Sequence, residues 1–232
     1  MNIVVTAGNT FVPIDSVRGI TNRFTGTTGA RIAMVAHARH HSVTLCTSQP
    51  DMLASLGVPI PADSPRWQVR PYHTFDELHA LLAVLCQDPT TDALIHSAAV
   101  SDYRCTGVFD QQMRDRSASK IKSDEPMLWL RLERTPKLID LVRAQWGFAG
   151  VLVKFKLEAG VSTTELLAIA ERSRRQSQAD LMVANTLEGM QREAYLGPID
   201  GTYWPLSREQ LPTVLIAAVE SVAATRPRHR RP

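Results

Sequence analysis

Apolar and polar positions follow two different periods along the chain. Short apolar runs predict strands at 2–7, where β-branched residues are frequent, and at 42–47, 150–158 and 179–185. Weaker patterns predict strands at 67–72 and 127–133 and one that begins at 92. Apolar residues at helical spacing predict helices at 29–41, 75–87, 135–146, 162–177 and 208–224. Thr135 is the expected N-cap residue of the third helix, with Pro136 in its first turn.

Strands that alternate with helices imply parallel pairing through right-handed crossovers. We therefore expect a doubly wound, Rossmann-like α/β fold whose mostly parallel sheet carries helices on both faces. A hairpin around Asp200 and Gly201 should follow near the C-terminus. We assign 1–225 to a single domain and 226–232 to a basic flexible tail. In such folds ligands bind beyond the carboxyl ends of the strands.

Composition narrows the class of protein only modestly. The 232 residues are 44% hydrophobic and 21% charged, which is typical of a soluble globular protein. The net charge of +3 is too small to indicate a nucleic-acid partner. Three cysteines without a CxxC pair do not form a disulfide framework, and neither a leader nor a membrane-spanning run is recognisable. We therefore expect a cytoplasmic protein without a membrane partner.

Four polar clusters follow predicted strands, at 8–28, 97–104, 117–126, and 154–158 together with 183–185. In the second cluster, Asp102 could either contact a ligand or cap the next turn. Lys120 lies in 104–126, a segment with little periodicity that we interpret as a lid or as a solvated loop. Phe155 could contact a base or belong to the core, and Asn185 could bind a ligand or form a turn. The residues by themselves indicate an enzyme acting on a nucleotide or a phosphorylated metabolite.

Other kinds of site find little support in the sequence. No Walker A pattern, spaced GxGxxG or GxSxG elbow occurs, and no His/Cys cluster has metal-ligand spacing. His96, alone in an apolar run, is interpreted as a buried residue with a hydrogen-bond partner rather than as a ligand.

The clusters resemble one family in order and in spacing. "VTAGNTFVPIDSVRGITNRFTGTTG", "SAAVSDYR", "KIKS", "ERTPKLIDLV", "VKFKLE" and "ADLMVAN" are similar to the motifs of phosphopantothenate–cysteine ligases, and the likeness covers residues 2–190. The resemblance implies amide formation between 4′-phosphopantothenate and L-cysteine in coenzyme A biosynthesis, through an acyl-nucleotide intermediate. It further implies CTP or ATP as co-substrate, Mg²⁺ as cofactor, a homodimer, and a stand-alone form without the decarboxylase half.

The resemblance also assigns residues. Asn22 and Lys120 would be catalytic, the first contacting the acyl-phosphate and the second stabilising charge at the α-phosphate from a mobile loop. The pantothenate-side residues would be Arg18, Asn22, Ala98 and Ala99. The nucleotide-binding residues would be Gly8, Thr10, Gly26, Gly29, Asp102, Pro136, Lys137, Leu138, Ile139 and Phe155.

Three departures from the family pattern leave the substrates open. Asn9 stands where a second glycine is usual, and Thr27 where a basic residue is frequent. Two lysines of the CTP-dependent enzymes align near Ser173 and Ser177, with Arg172 and Arg174 as neighbouring cations. The alternatives are therefore a same-fold enzyme with a different carboxylate or amine substrate, and a non-catalytic nucleotide-binding module.

Overall fold

The computed structural model describes residues 1–57, 60–61, 63–118 and 120–226. The strands are β1 (Asn2–Ala7), β2 (Phe11–Pro13), β3 (Gly19–Thr21), β4 (Ser42–Thr47), β5 (Trp67–Pro71), β6 (Ala93–His96), β7 (Tyr103–Phe109), β8 (Trp129–Arg134), β9 (Val151–Glu158), β10 (Leu181–Thr186), β11 (Glu193–Ile199) and β12 (Thr202–Ser207). The helices are α1 (Thr27–Ala38), α2 (Phe75–Gln87), α3 (Leu138–Ala144), α4 (Thr163–Gln176) and α5 (Leu211–Thr225), with a 3₁₀ helix at Pro50–Leu56. None of these helices, in the part of the chain the structure describes, is long and apolar enough to cross a bilayer.

Eight strands form one sheet in the order β12-β11-β10-β9-β6-β1-β4-β5. The six strands from β5 to β10 in this order pair in parallel, while β11 and β12 pair antiparallel as a hairpin. The predicted doubly wound fold and its C-terminal hairpin are thus confirmed. The chain leaves β1 in one direction for β4 and later returns to the other side of β1 with β6. A crevice therefore opens at the carboxyl ends of β1 and β6, where ligands of this fold class bind.

The central strands β1, β6, β9 and β10 are buried on both faces, as the apolar runs predicted. One face carries residues such as Val5, Ile95 and Val153, which pack against α1 and α5. The alternate positions, such as Leu94 and Leu152, pack against α2 and α3, and Met182 packs against α4. The successive strands therefore present their carboxyl ends between two helical layers.

Helix α3 is shorter than predicted and begins later. Lys137 occupies the N-cap position without a side-chain capping bond, so the prediction that Thr135 caps this helix is wrong. The Thr135 hydroxyl instead donates to the carbonyl of Ser101 at 2.8 Å. This long-range bond holds Thr135 against the segment between β6 and β7, outside the helix.

Two small hairpins stand outside the main sheet. Strands β2 and β3 pair within the insertion that follows β1, and β7 pairs with β8. The segment 104–126 was expected to be a loop throughout, but its first part, to Phe109, belongs to β7. Every residue of β8 is exposed.

Asp180, at the start of β10, connects three elements. One of its carboxylate oxygens accepts the backbone N–H of Leu152 at 2.7 Å and a guanidinium N–H of Arg143 at 2.9 Å. The other accepts from Arg226, just after α5. Of the predicted tail 226–232 only Arg226 lies within the described residues, and the assignment of 1–225 to one domain remains a prediction.

We predict that Asp180→Asn lowers the free energy of unfolding by about 2 kcal/mol, because hydrogen bonds to a charged acceptor are the stronger class. Urea denaturation followed by circular dichroism measures the change. Asp200→Asn is the matched control, since Asp200 lies in an exposed turn at φ 50°, a conformation that Asn tolerates. Equal losses for the two variants would contradict a connecting role for Asp180.

Candidate active site

A cavity of about 620 Å³ opens at the carboxyl ends of β1, β6, β9 and β10, beside the start of α1. Most of the residues assigned by resemblance line it, although they come from five separate stretches of chain. They are Gly8, Gly26, Gly29, Ala98, Ala99, Asp102, Pro136, Lys137, Leu138, Ile139 and Phe155. Asn185, which the sequence left undecided, lines it as well. The fold thus brings the polar clusters after different strands into one place.

The first turn of α1 forms one wall of this cavity. Gly26 precedes the helix in the left-handed region at φ 85°, where a Cβ would lie 2.4 Å from the backbone nitrogen of Gly8. No side chain caps the helix, and its first turn contains no acidic residue. The free N–H groups and the positive end of the helix dipole therefore favour an anion here.

Asn22 does not line the cavity itself but contacts Ala99, which does. Its Nδ2 donates to the carbonyl of Ala99 at 2.9 Å. The backbone carbonyl of Asn22 accepts from Nδ2 of Asn9 at 2.6 Å. The Ser48 hydroxyl in turn donates to Oδ1 of Asn9 at 3.0 Å. The asparagine that replaces a usual glycine at position 9 therefore anchors the loop that carries Asn22.

Thr10 is fully buried and does not line the cavity. Its Oγ1 accepts the backbone N–H of Ser101 at 2.8 Å. This bond fixes the turn that presents Asp102. Thr10 therefore supports the site from below, and its assignment as a nucleotide-binding residue stays a prediction.

Arg18 and Lys120 also lie outside the cavity lining. Arg18 forms an ion pair with Asp15 at 2.7 Å and donates to the carbonyl of Ile121 at 2.7 Å. The N–H of Ile121 in turn donates to Asp15 at 3.1 Å, which places the neighbouring, exposed Lys120 beside the insertion. The structure thus joins the two polar loops without placing either cation in the cavity.

The end of the cavity near β9 contains a buried ammonium group that the sequence analysis missed. Lys154 is only 7% exposed, and its Nζ donates to the Ser173 carbonyl at 3.0 Å and to Ser177 Oγ at 3.1 Å. It lies 3.9 Å from Asp140 Oδ1. Burial lowers the pKa of Lys154, and the nearby Asp140 carboxylate opposes that effect. A lysine between the apolar residues Val153 and Phe155 was the available signal.

The cation beside Ser173 and Ser177 is thus Lys154 of β9 and not a residue of α4. Of the two arginines noted on the helix, Arg174 is held by Glu171 and by the Ala179 carbonyl, and Arg172 is exposed. Neither lines the cavity.

His96 is buried and also lines the cavity. Its Nδ1 lies 3.0 Å from Thr6 Oγ1, which confirms the interpretation of a buried residue with a partner. Burial, together with the charge of Lys154, lowers the pKa of His96 to about 4. The ring is therefore neutral at pH 7.

Two further arginines, Arg31 of α1 and Arg208 before α5, line the cavity and were missed by the sequence analysis. Arg208 is separated by 180 residues from Thr28, to which it donates a hydrogen bond, so no local pattern could reveal it. Together with three lysines they oppose a single carboxylate, Asp102, among the described lining residues. Such a balance suits a polyanionic ligand.

The described residues contain no group of three or more His, Cys, Asp or Glu side chains that could hold a metal ion. Mg²⁺ commonly binds through one or two carboxylates together with substrate phosphates. Asp102 therefore fits a Mg²⁺ that a bound nucleotide brings with it, but not an all-protein metal site.

Comparison with known sequences places the chain among pantothenate-metabolism proteins. The bifunctional coenzyme A biosynthesis protein CoaBC of Thermococcus kodakarensis is 33% identical over 192 residues, 82% of this chain and 42% of that protein. CoaBC of Mycobacterium tuberculosis strain H37Rv is 30% identical over 230 residues, 97% of this chain and 50% of that protein. The chain thus spans about half the length of the curated relatives it matches.

Solved structures agree with this placement. A DNA/pantothenate metabolism flavoprotein from Streptococcus pneumoniae superposes with a TM-score of 0.81 at 29% identity, covering 96% of this chain and 99% of that one. A Cab2 mutant in complex with phosphopantothenate-cysteine gives a TM-score of 0.72 at 18% identity, covering 96% and 86%, and shows the shared fold alone. The family model described as DNA/pantothenate metabolism flavoprotein C-terminal domain matches residues 1–197, and the chain belongs to this family.

Proposed function

We propose that the protein is a phosphopantothenate–cysteine ligase of coenzyme A biosynthesis, with CTP or ATP as its co-substrate. The observation that carries the proposal is the cation-rich cavity at the start of α1, directly beside the Asn22–Ala99 contact. A triphosphate and a carboxylate substrate can meet at that boundary. The names of the CoaBC relatives and the ligand of the Cab2 structure support the same reaction.

The reaction requires a carboxylate to become an acylating agent. In the first step a carboxylate oxygen of 4′-phosphopantothenate attacks the α-phosphorus, and the bond to the bridging oxygen breaks to release pyrophosphate. In the second step the amine of L-cysteine attacks the acyl carbon, the nucleoside monophosphate leaves, and the amine loses a proton. Both steps concentrate negative charge on phosphate oxygens, so preorganised N–H donors and cations lower the barrier.

The N–H groups at the start of α1 would hold the phosphate chain. Asn22 would then face the acyl-phosphate from the Ala99 side, with Asn9 fixing its loop. Mg²⁺, held by the phosphates and Asp102, would supply charge neutralisation when bound. The base would lie near Phe155 and Pro136–Ile139, within reach of Lys154.

Lys120 would act by closure of its loop over the α-phosphate. The Asp15–Arg18 pair contacts Ile121 through one accepted and one donated hydrogen bond, so it sets where the loop rests. Arg18 would then position Lys120 rather than contact the pantothenate moiety itself.

A homodimer is part of the proposal. In β8 all six residues are exposed, including Trp129, Leu130 and Leu132, and Tyr103 of β7 is exposed beside them. An isolated two-stranded ribbon is marginally stable in water. A second copy of the chain covering this hairpin would bury the apolar side chains.

We also assign the protein to the cytoplasm. Cys46, Cys86 and Cys105 are free, which suits a reducing compartment.

The primary test is a pyrophosphate-release assay with 4′-phosphopantothenate, with CTP and ATP measured side by side and with cysteine added or omitted. We predict that Lys120→Ala lowers kcat by about 100-fold at nearly unchanged nucleotide affinity, because it removes charge stabilisation that develops in the transition state. Lys122→Ala, two residues further along the same exposed loop, should stay within twofold. Absence of turnover of the unmodified protein with both nucleotides would exclude the proposed function.

The resting position of the Lys120 loop is tested by Asp15→Asn. Hydrogen exchange at the amide of Ile121 should become about tenfold faster, because the charged acceptor is lost. Asp51→Asn, in the 3₁₀ helix, is the control and should leave the exchange rate of the Ile121 amide unchanged.

The Asp15 contact should also persist at low pH. The Arg18 side chain, together with backbone N–H donors, holds the pKa of Asp15 well below its usual 3.8. The contribution of this carboxylate is therefore present above pH 3.8 and is lost only as the pH falls through the lower folded value. Protection of Ile121 that weakens between pH 7 and pH 5, after correction for intrinsic exchange, would speak against this tether.

The dimer is tested by light scattering coupled to size exclusion. The unmodified protein should have twice the chain mass of 25.7 kDa, and Leu132→Glu should shift it toward the monomer, because a charge would be buried in the interface. Val84→Glu changes an equally apolar, exposed residue of α2 and should leave the mass unchanged. A monomeric unmodified protein at micromolar concentration would rule out the hairpin as a stable interface.

A further inference from the structure

Arg208 lies in a part of the chain that the family model does not match, since the match ends at residue 197. It follows β12 and precedes α5, and its backbone N–H donates to the Arg192 carbonyl at 3.0 Å. Its guanidinium extends to the first turn of α1, where Nη2 donates to Thr28 Oγ1. The C-terminal segment thereby contributes a half-buried cation to the wall of the cavity.

The charge of Arg208 is not compensated within the described residues. No carboxylate pairs with it, and none pairs with Arg31, which lines the same cavity one turn into α1. By contrast, Arg39, Arg143 and Arg226 each pair with a carboxylate. Burial and, secondarily, repulsion from Arg31 lower the pKa of Arg208. Arg208 is half-buried and Arg31 is exposed, and two guanidiniums facing the same cavity favour the binding of an anion there.

The position of Arg208 is fixed by a hydroxyl and not by a carboxylate. The bond to Thr28 uses one N–H of the guanidinium, and the remaining donors of its planar fork are free for a ligand in the cavity. Thr27, beside it, is uncharged, so the first turn of α1 provides no cation of its own before Arg31. The structure therefore supplies positive charge to this helix start from the C-terminal segment.

We propose that Arg208 and Arg31 form a clamp for the two phosphates that leave as pyrophosphate, a role that rests on the ligase function proposed above. The reacting α-phosphate must face the carboxylate substrate near Asn22. The arginine pair is then available to the β- and γ-phosphates. Negative charge grows on these phosphates as the bridging bond breaks, so the clamp binds pyrophosphate more tightly than it binds a nucleoside monophosphate.

The test uses the full chain and inorganic pyrophosphate as the probe, measured by isothermal titration without nucleotide or acid substrate. Arg208→Gln should weaken pyrophosphate binding at least tenfold, Arg208→Lys should lie between that variant and the unmodified protein, and Arg31→Gln should also weaken it. Binding of CMP or AMP should change less than threefold. Arg39→Gln is the matched control, because it removes one positive charge at the other end of α1 and should leave pyrophosphate affinity unchanged.

The outcomes separate this inference from the ligase proposal. Unaltered pyrophosphate affinity in both folded variants, Arg208→Gln and Arg31→Gln, would overturn the clamp even if the protein ligates cysteine. Weakened pyrophosphate affinity in a protein that never releases pyrophosphate from CTP or ATP would uphold the clamp and reject the ligase function. In an active enzyme, Arg208→Gln should raise the inhibition constant of pyrophosphate and the KM of the nucleotide in parallel, by about tenfold each.

Discussion

The close approach of α1 to the carboxyl ends of β1 and β6 is the constraint on which the site depends. A Cβ at Gly29 would lie 2.5 Å from Ser97 Oγ and 2.8 Å from Ala7 Cβ, so only glycine allows the helix to lie this near to the strands. That approach places the uncapped N–H groups of the helix directly above the strand ends. It also brings Thr28 within reach of Arg208 from the other end of the chain. A methyl side chain at Gly29 would therefore push the start of α1 away from the strand ends and from the loop that carries Asn22.

The cavity concentrates cations, and its two arginines, Arg31 and Arg208, have no carboxylate partner among the residues that the structure describes. Lys154 is held by a carbonyl and a hydroxyl, with Asp140 3.9 Å away, and Arg208 is held by a hydroxyl. Neutral partners fix the geometry of a cation without cancelling its field. This arrangement favours affinity for a polyanion over stability, which is the expected pattern for a binding site rather than for a structural ion pair. Asp180, paired with Arg143 and Arg226, is the structural counterpart in the same molecule.

The sequence predicted those features that follow from local pattern. The apolar runs predicted the buried strands, and apolar residues at helical spacing predicted the helices between them. The polar clusters that follow the strands lie close together because parallel strands place their carboxyl ends at the same edge of the sheet. The features that the sequence analysis mispredicted or missed depend on partners far along the chain. Thr135 donates to the Ser101 carbonyl instead of capping the helix, and Arg208 donates to Thr28, 180 residues away. The roles of Asn22 and Lys120 came from resemblance, since a loop asparagine and an exposed lysine are ordinary surface residues by composition.

The insertion between β1 and α1 now has a physical reason for its length. One part, through Asn22 and Asn9, is fixed to the strand ends. Another part, through Asp15 and Arg18, is fixed to the loop that carries Lys120. A short glycine turn could hold phosphates, but it could not connect those two places. In the proposed reaction the anhydride must be formed and then protected from water until cysteine arrives. In that proposal a single loop contacts both the reacting centre and the segment that carries Lys120, because Arg18 and Asn22 flank β3 of the same short hairpin.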